Sequence, residues 1–153
     1  MNIFYNTASV VSVDEALSFY SDKEFKSPLR STVPMISWLK HEPAAVHQLM
    51  QSLGLSGDCA FHLEYEVESG RGRGQASHTD LMAIGDDACL AIEAKWTEPH
   101  YITVEDWLKQ GENRDNRLEV LKGWLELLQA HAEKKLEPED FSKAIYQTVH
   151  RAA

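Results

Sequence analysis

The sequence predicts an α+β fold, and three observations predict it. Apolar residues repeat with a helical period before about residue 54, alternate with period 2 through the sixties, and resume a helical period after residue 101. A turn signal, Gly85-Asp86-Asp87, lies between two strand-like runs. Helices thus flank three consecutive strands, the pattern of an antiparallel meander carried by helices.

The first forty residues are irregular by pattern. Ser12 and Glu15 in "SVDE" fit a capping box that opens a short helix through about Tyr20. "KSPLRSTVP" reads as loop and turn, because Pro28 and Pro34 discourage regular structure. Residues 42–53 form a clearer helix, with Pro43 at its first position and Gly54 as its stop. Val46, Leu49, Met50 and Leu53 fall at i, i+3, i+4 and i+7, which predicts one buried stripe.

In "FHLEYEVES", Phe61, Leu63, Tyr65 and Val67 alternate with His62, Glu64, Glu66 and Glu68, as in a half-buried strand. Beyond "EPHY", Thr103 can cap "VEDWLKQ", and Leu118, Leu121, Leu125 and Leu128 define a long amphipathic helix. Pro138 starts a last helix in which Phe141, Ala144, Ile145, Thr148 and Val149 share a face.

A length of 153 residues suits one domain, spanning 1–153. No apolar run is long enough for a membrane span and the N-terminus lacks a signal-peptide pattern, so a cytoplasmic protein without a membrane partner is expected. Cys59 and Cys89 each begin an apolar run and read as reduced core thiols. A net charge of −9 argues against broad electrostatic attachment to nucleic acid. Basic residues cluster in "GRGRG", residues 70–74, which reads either as a loop whose backbone and arginines, Arg71 and Arg73, approach a phosphate, or as a flexible hairpin loop.

The chemistry concentrates in "HTDLMAIGDDACLAIEAKW", residues 78–96, charged only at Asp80, Glu93, Lys95 and the central Asp86-Asp87 pair. With the turn centred on that pair, Ile84 faces Cys89 and, by continuation, Asp80 faces Glu93, with Lys95 on the same side as Glu93. Opposed residues have β-carbons about 4.5–5.5 Å apart, where two carboxylates repel. Two readings fit. Either Lys95 pairs with both acids on a solvated sheet face, or a hard cation such as Mg²⁺ sits between the acids, with the Ala94 carbonyl as a further ligand. In the second reading Lys95 orients a metal-bound water or stabilises charge on a phosphoryl group.

Asp80 after Thr79, twelve intervening residues, and then Glu93-Ala94-Lys95 resemble the signature of the PD-(D/E)XK nuclease superfamily. "GRGQASHTDLMAI", "IEAKWTEP", the "EDWL" helix start and the terminal "YQTVHRAA" resemble a bacterial branch of it, and "KSPLRSTVP" is similar too, so the likeness spans most of residues 25–151. The resemblance implies a restriction-endonuclease-like core, with a central mixed sheet flanked by helices. It implies hydrolysis of nucleic-acid phosphodiesters, DNA first, with Mg²⁺ (or Mn²⁺) as cofactor. Asp80, Glu93 and Lys95 then become the catalytic residues, with Asp80, Glu93 and Ala94 holding the metal. Glu64 is an extra candidate ligand, and Glu42 a weaker one. Gln147, His150 and Arg151, on one flank of the last helix, are candidates to touch a phosphate, as are Arg71 and Arg73. The alternative is a catalytically inactive binding module that kept the fold.

Two departures stand out. Thr79 replaces the proline of the signature, and the sequence ends at Ala153, just after the helix that in the superfamily leads into a fourth core strand. Either "NIFYN" supplies an extra strand, or a second copy does in a homodimer, or the chain is a shortened member.

Overall fold

This computed structural model describes residues 1–26, 31–55, 58–95 and 102–153. The chain divides into two compact units, Met1–Glu66 with His78–Glu98 and Val67–Ser77 with Pro99–Ala153.

The first unit is built on a five-stranded sheet. Its strands are β1 (Asn2–Tyr5), β2 (Ala8–Val10), β3 (Ala60–Val67), β4 (Ser77–Ile84) and β5 (Cys89–Ile92), in the order β2-β1-β3-β4-β5. β1 runs antiparallel to β2 but parallel to β3, and β4 runs antiparallel to β5, so the sheet is mixed. The α+β class holds, and the three expected strands are neighbours in sequence order.

The N-terminal quarter departs from expectation. "NIFY" forms β1 and pairs with β3, Ile3 opposite Phe61 and Tyr5 opposite Leu63. Asn6, in the left-handed region at φ 51°, turns the chain so that Tyr5 pairs with Ala8. Asn tolerates that conformation better than most residues. These strands are too short to announce themselves by periodicity; pairing of β1 with β3 and of β2 with β1 defines them. Of the two sources of an extra strand left open by the sequence, "NIFYN" supplies one, as β1.

At α1 (Val13–Ala16) Ser12 caps as expected, its Oγ accepting the Glu15 N–H at 3.1 Å, while Glu15 Oε2 reaches one residue past the N-cap and accepts the Val11 N–H at 2.5 Å. A 3₁₀ turn, Leu17–Phe19, and the short α2 (Asp22–Lys26) follow. The stretch read as loop includes residues 27–30, which lie outside the described residues, but Thr32 onward is α3 (Thr32–His41). Pro34 sits in its first turn, where a missing N–H costs no intrahelical bond, so the proline is compatible with the helix it was expected to forbid.

Next comes α4 (Pro43–Ser52), with Pro43 at its start and Gly54 at φ +90° beyond its end. Its buried stripe is narrower than the spacing predicts. Val46 and Met50 are sealed, whereas Leu49 and Leu53 are 40% and 53% exposed. One i, i+4 ridge reaches the core and its flanks do not. That core joins Met35, Ile36 and Leu39 of α3 to Phe61 and Leu63 of β3 and Leu81 and Ala83 of β4. Cys59 belongs to it, but Cys89 is exposed, which corrects the expectation of two core thiols. Position 89 opens β5 next to the turn, where the side chain meets solvent.

Strand β3 breaks its alternation at Glu64, whose φ is 50°. In a regular strand, residues three apart point to opposite faces. Here the rings of His62 and Tyr65 meet edge-on at 5.3 Å. Tyr65 therefore leaves the Phe61–Leu63 face to which its spacing assigned it.

The second unit packs α5 (Val104–Lys109), α6 (Arg114–Gln129) and α7 (Tyr146–Ala152) around Val104, Leu121, Trp124, Leu125 and Val149. Thr103 caps α5 as expected, its hydroxyl accepting the Asp106 N–H at 3.1 Å. The single helix predicted from Pro138 is instead a 3₁₀ turn, Pro138–Phe141, followed by α7 after a break. The break has a cause. Ala144 O and Ser142 O accept the N–H groups of Val104 and Glu105, and Tyr146 N–H donates to Ile102 O. Backbone groups that would close helical turns are spent on Ile102 and the first turn of α5, and Ile145 bridges Thr103. Among the described residues, no helix is long and apolar enough to cross a membrane.

Candidate functional site

The hairpin of β4 and β5 has the expected register. Gly85 N–H bonds Ala88 O at 2.9 Å, Ile84 pairs with Cys89 and Leu81 with Ile92. One further step sets Asp80 opposite Glu93, the first residue beyond β5. On β4, Thr79, Leu81 and Ala83 are buried, so Asp80 belongs to the other face, the one that Met82 shares.

Just past β5, hydrogen bonds fix the charges. Asp80 Oδ2 accepts the Ala94 N–H at 2.7 Å. Lys95 Nζ lies 2.9 Å from Glu93 Oε1. Glu93 keeps only 15% of its side-chain surface and Lys95 31%, so water screens this pair less than a fully exposed one.

Asp80, Lys95 and Glu64 line one open cavity of about 600 Å³, together with Tyr5, Tyr20 and His78. Ser31 and Thr32, at the start of α3, complete one wall. The cavity thus draws on three neighbouring strands, with Glu64 brought in at the backbone irregularity of β3. His78 Nδ1 lies 3.9 Å from Glu64 Oε2 and 3.8 Å from Glu66 Oε1, a rim position. Glu42 is exposed at the start of α4 and does not line this cavity. Tyr5, Tyr20 and Ser31 were missed at the sequence level, since nothing local in an irregular-looking segment announces a wall of a distant hairpin.

The donors here are carboxylate oxygens, the chemistry a hard divalent cation accepts. Among the described residues, no three His, Cys, Asp or Glu side chains gather as a metal-holding group. Asp80 and Glu64 bring two carboxylates to this cavity.

The Gly/Arg loop belongs to the second unit, where its arginines have different fates. Arg71 is held by two carboxylates of α6, through Nη1 to Glu126 Oε1 at 2.5 Å and through Nε to Glu119 Oε2 at 3.1 Å. These bonds, that to Glu126 first, raise the Arg71 pKa further. Glu119 in turn is held below the usual carboxylate range, by Lys122 first and then by Arg71. Arg73 has an exposed side chain, but its backbone is clamped. Its N–H donates to Asn116 Oδ1 at 2.7 Å and its carbonyl accepts from Asn116 Nδ2 at 2.6 Å.

Two glycines let this loop lie against α6. Gly72 has φ +73°, and a Cβ there would meet Val120 Cγ2 at 2.5 Å. A Cβ on Gly123 would come within 2.2 Å of Ser69 O. The loop is a docked element rather than the flexible hairpin loop that was one of its two sequence readings.

On α7, Gln147 is half-buried, while His150 keeps only 8% of its surface. His150 and Arg151 both reach Ser77, at the start of β4. The helix flank expected to carry them is a packed one.

The chain belongs to the family described as "Domain of unknown function (DUF6946)", whose model matches residues 9–153. No curated protein and no solved structure matches it.

Proposed function

We propose that this chain is a metal-dependent nuclease of the PD-(D/E)XK superfamily, cleaving nucleic-acid phosphodiesters, DNA first. The observation that carries this reading is the register of the β4–β5 hairpin, whose pair Leu81–Ile92, continued by one step, would bring Asp80 opposite Glu93, with Lys95 beside Glu93 at the edge of a polar cavity. The mixed sheet, with three sequential strands side by side and helices around it, supports a restriction-endonuclease-like core.

Asp80 and Glu93 would hold Mg²⁺ or Mn²⁺, with the Ala94 carbonyl and Glu64 as further oxygen donors. Bound there, the ion supplies Lewis acidity and a more acidic water. The protein's part is orientation. The Ala94 N–H fixes one oxygen of Asp80 and so sets the plane of that carboxylate. Lys95 holds its ammonium where negative charge would develop on a phosphoryl group, and a preorganised cation there lowers the barrier without reorganisation. Arg73, Gln147, His150 and Arg151, the other expected phosphate contacts, belong to the second unit, where His150 and Arg151 are engaged with Ser77. Arg71 serves the loop first, through Glu119 and Glu126.

The test is a plasmid-nicking assay. Wild type should nick DNA with Mg²⁺ or Mn²⁺ and stop with EDTA. Glu93→Ala and Lys95→Ala should each slow the reaction by about 100-fold or more. Equal nicking by both variants would overturn the assignment.

One observation favours a second reading, an inactive binding module of the same fold: no three-ligand group gathers among the described residues, in a chain of net charge −9. Such a module would bind its partner equally well in EDTA.

A further inference from the structure

A second cavity, of about 580 Å³ and wholly within the second unit, is walled by the Gly/Arg loop and floored by Trp124 and Tyr146. Ser77 and His150 line it. Ser77 Oγ lies 2.5 Å from His150 Nδ1. Arg151 Nη1 also hydrogen-bonds Ser77 Oγ, and it lies 3.2 Å from His150 Nδ1.

The donor inventory limits this network. A guanidinium can only donate, so Arg151 Nη1 donates to the Ser77 oxygen. In the His150 tautomer protonated at Nε2, the single lone pair of Nδ1 accepts the Ser77 hydroxyl proton. A serine whose proton rests on an imidazole, and whose oxygen faces a fixed cation, combines a nucleophile, a base and a stabiliser of developing negative charge.

The imidazole is also held in place. His150 packs against Tyr146 at 4.8 Å and Trp124 at 5.8 Å between ring centroids. Tyr146 itself stacks on Trp107 at 3.7 Å, and burial pushes its hydroxyl pKa up, so it stays a neutral phenol. The loop wall is equally preformed, through the Asn116 clamp on Arg73. None of this machinery belongs to the Asp80–Lys95 cavity.

We propose that Ser77, His150 and Arg151 form a reactive-serine centre that accepts acyl or phosphonyl groups from small activated esters. In the acyl case Ser77 Oγ bonds the carbonyl carbon while its proton passes to His150 Nδ1. The bond to the leaving oxygen breaks, and that oxygen takes the proton as an alcohol. Water then cleaves the acyl-serine, giving the acid and restoring the hydroxyl. Arg151 faces the charge that gathers at the reacting oxygens, and the aromatic floor receives the apolar part of the acyl group.

The experiment uses the full chain with an alkyl fluorophosphonate in EDTA, a condition that silences the proposed nuclease without touching this centre. The reaction forms an Oγ–P bond, releases fluoride and sends the serine proton through His150 to solvent. Intact-mass and peptide mapping should place one adduct on Ser77 of the wild-type protein. His150→Gln should slow labelling at least 10-fold, and Ser77→Ala should abolish it. In case those variants fold poorly, Ser77→Cys offers a second reading, with iodoacetamide expected to alkylate position 77 at least 10-fold faster than the exposed Cys89. Folded wild type that takes no adduct, or takes it elsewhere, overturns the proposal. So does a Ser77→Cys variant in which the thiol at position 77 reacts no faster than Cys89.

Discussion

The acids beside β5 and the arginines of the Gly/Arg loop look alike in sequence, as short charged motifs among strands, yet their surroundings put them to different uses. Arg71 meets two carboxylates of α6, so its charge is consumed in docking a loop. Asp80 and Glu93 are fixed by a backbone N–H and a neighbouring lysine, and Asp80 and Lys95 still line a cavity. A charged motif points to chemistry when local bonds orient it towards open space. It points to architecture when opposite charges from another element close over it.

The largest expected effect strikes the docked loop. Gly123→Ala drives a methyl into the backbone carbonyl of Ser69 and should cost about 3 kcal/mol, read as a lower urea midpoint. A stability like that of wild type would mean that the loop does not need α6. Asp80→Ala should cost less, about 1 kcal/mol, by removing the acceptor for the Ala94 N–H. Asp80→Asn keeps an oxygen acceptor there and should keep most of the stability while losing the nicking activity. If both variants lost stability equally, the carboxylate would count as scaffold and the contrast with Arg71 would collapse.

The smallest effect should come from Arg71→Ala. Its pairs are more than a third exposed, so the fall in Tm should be slight and should vanish in 1 M salt. The pH dependence follows from Glu119. Because its folded pKa is depressed, its contribution is present above the ordinary carboxylate range and is lost as pH falls through the depressed value. The Tm difference between wild type and Arg71→Ala should therefore shrink on acidification below that range.

What the sequence made legible follows from the range of the forces involved. The hairpin register was readable because a two-residue turn and period-2 alternation are local, and the caps at Ser12 and Thr103 were readable for the same reason. Strand β1 was not, since four residues too few for a period join the sheet by pairing with β3 across more than fifty positions of chain. The break before α7 was hidden too, because its carbonyls turn to partners near Val104. Among the candidate site residues, register and resemblance singled out Asp80, Glu93 and Lys95. Ser77 carried no signal, since a serine becomes notable only when packing brings an imidazole to it.

The left-handed kink at Glu64 has one more effect. It works as a phase slip within β3: residues up to Leu63 keep time with one side of the sheet, and those beyond it resume half a period out of step. Phe61 and Leu63 thereby serve the core of the first unit, while Val67, on the same strand, packs with the apolar cluster of the second. A single off-beat residue, held at a penalty of about 1 kcal/mol, lets one continuous strand contribute side chains to two separate interiors.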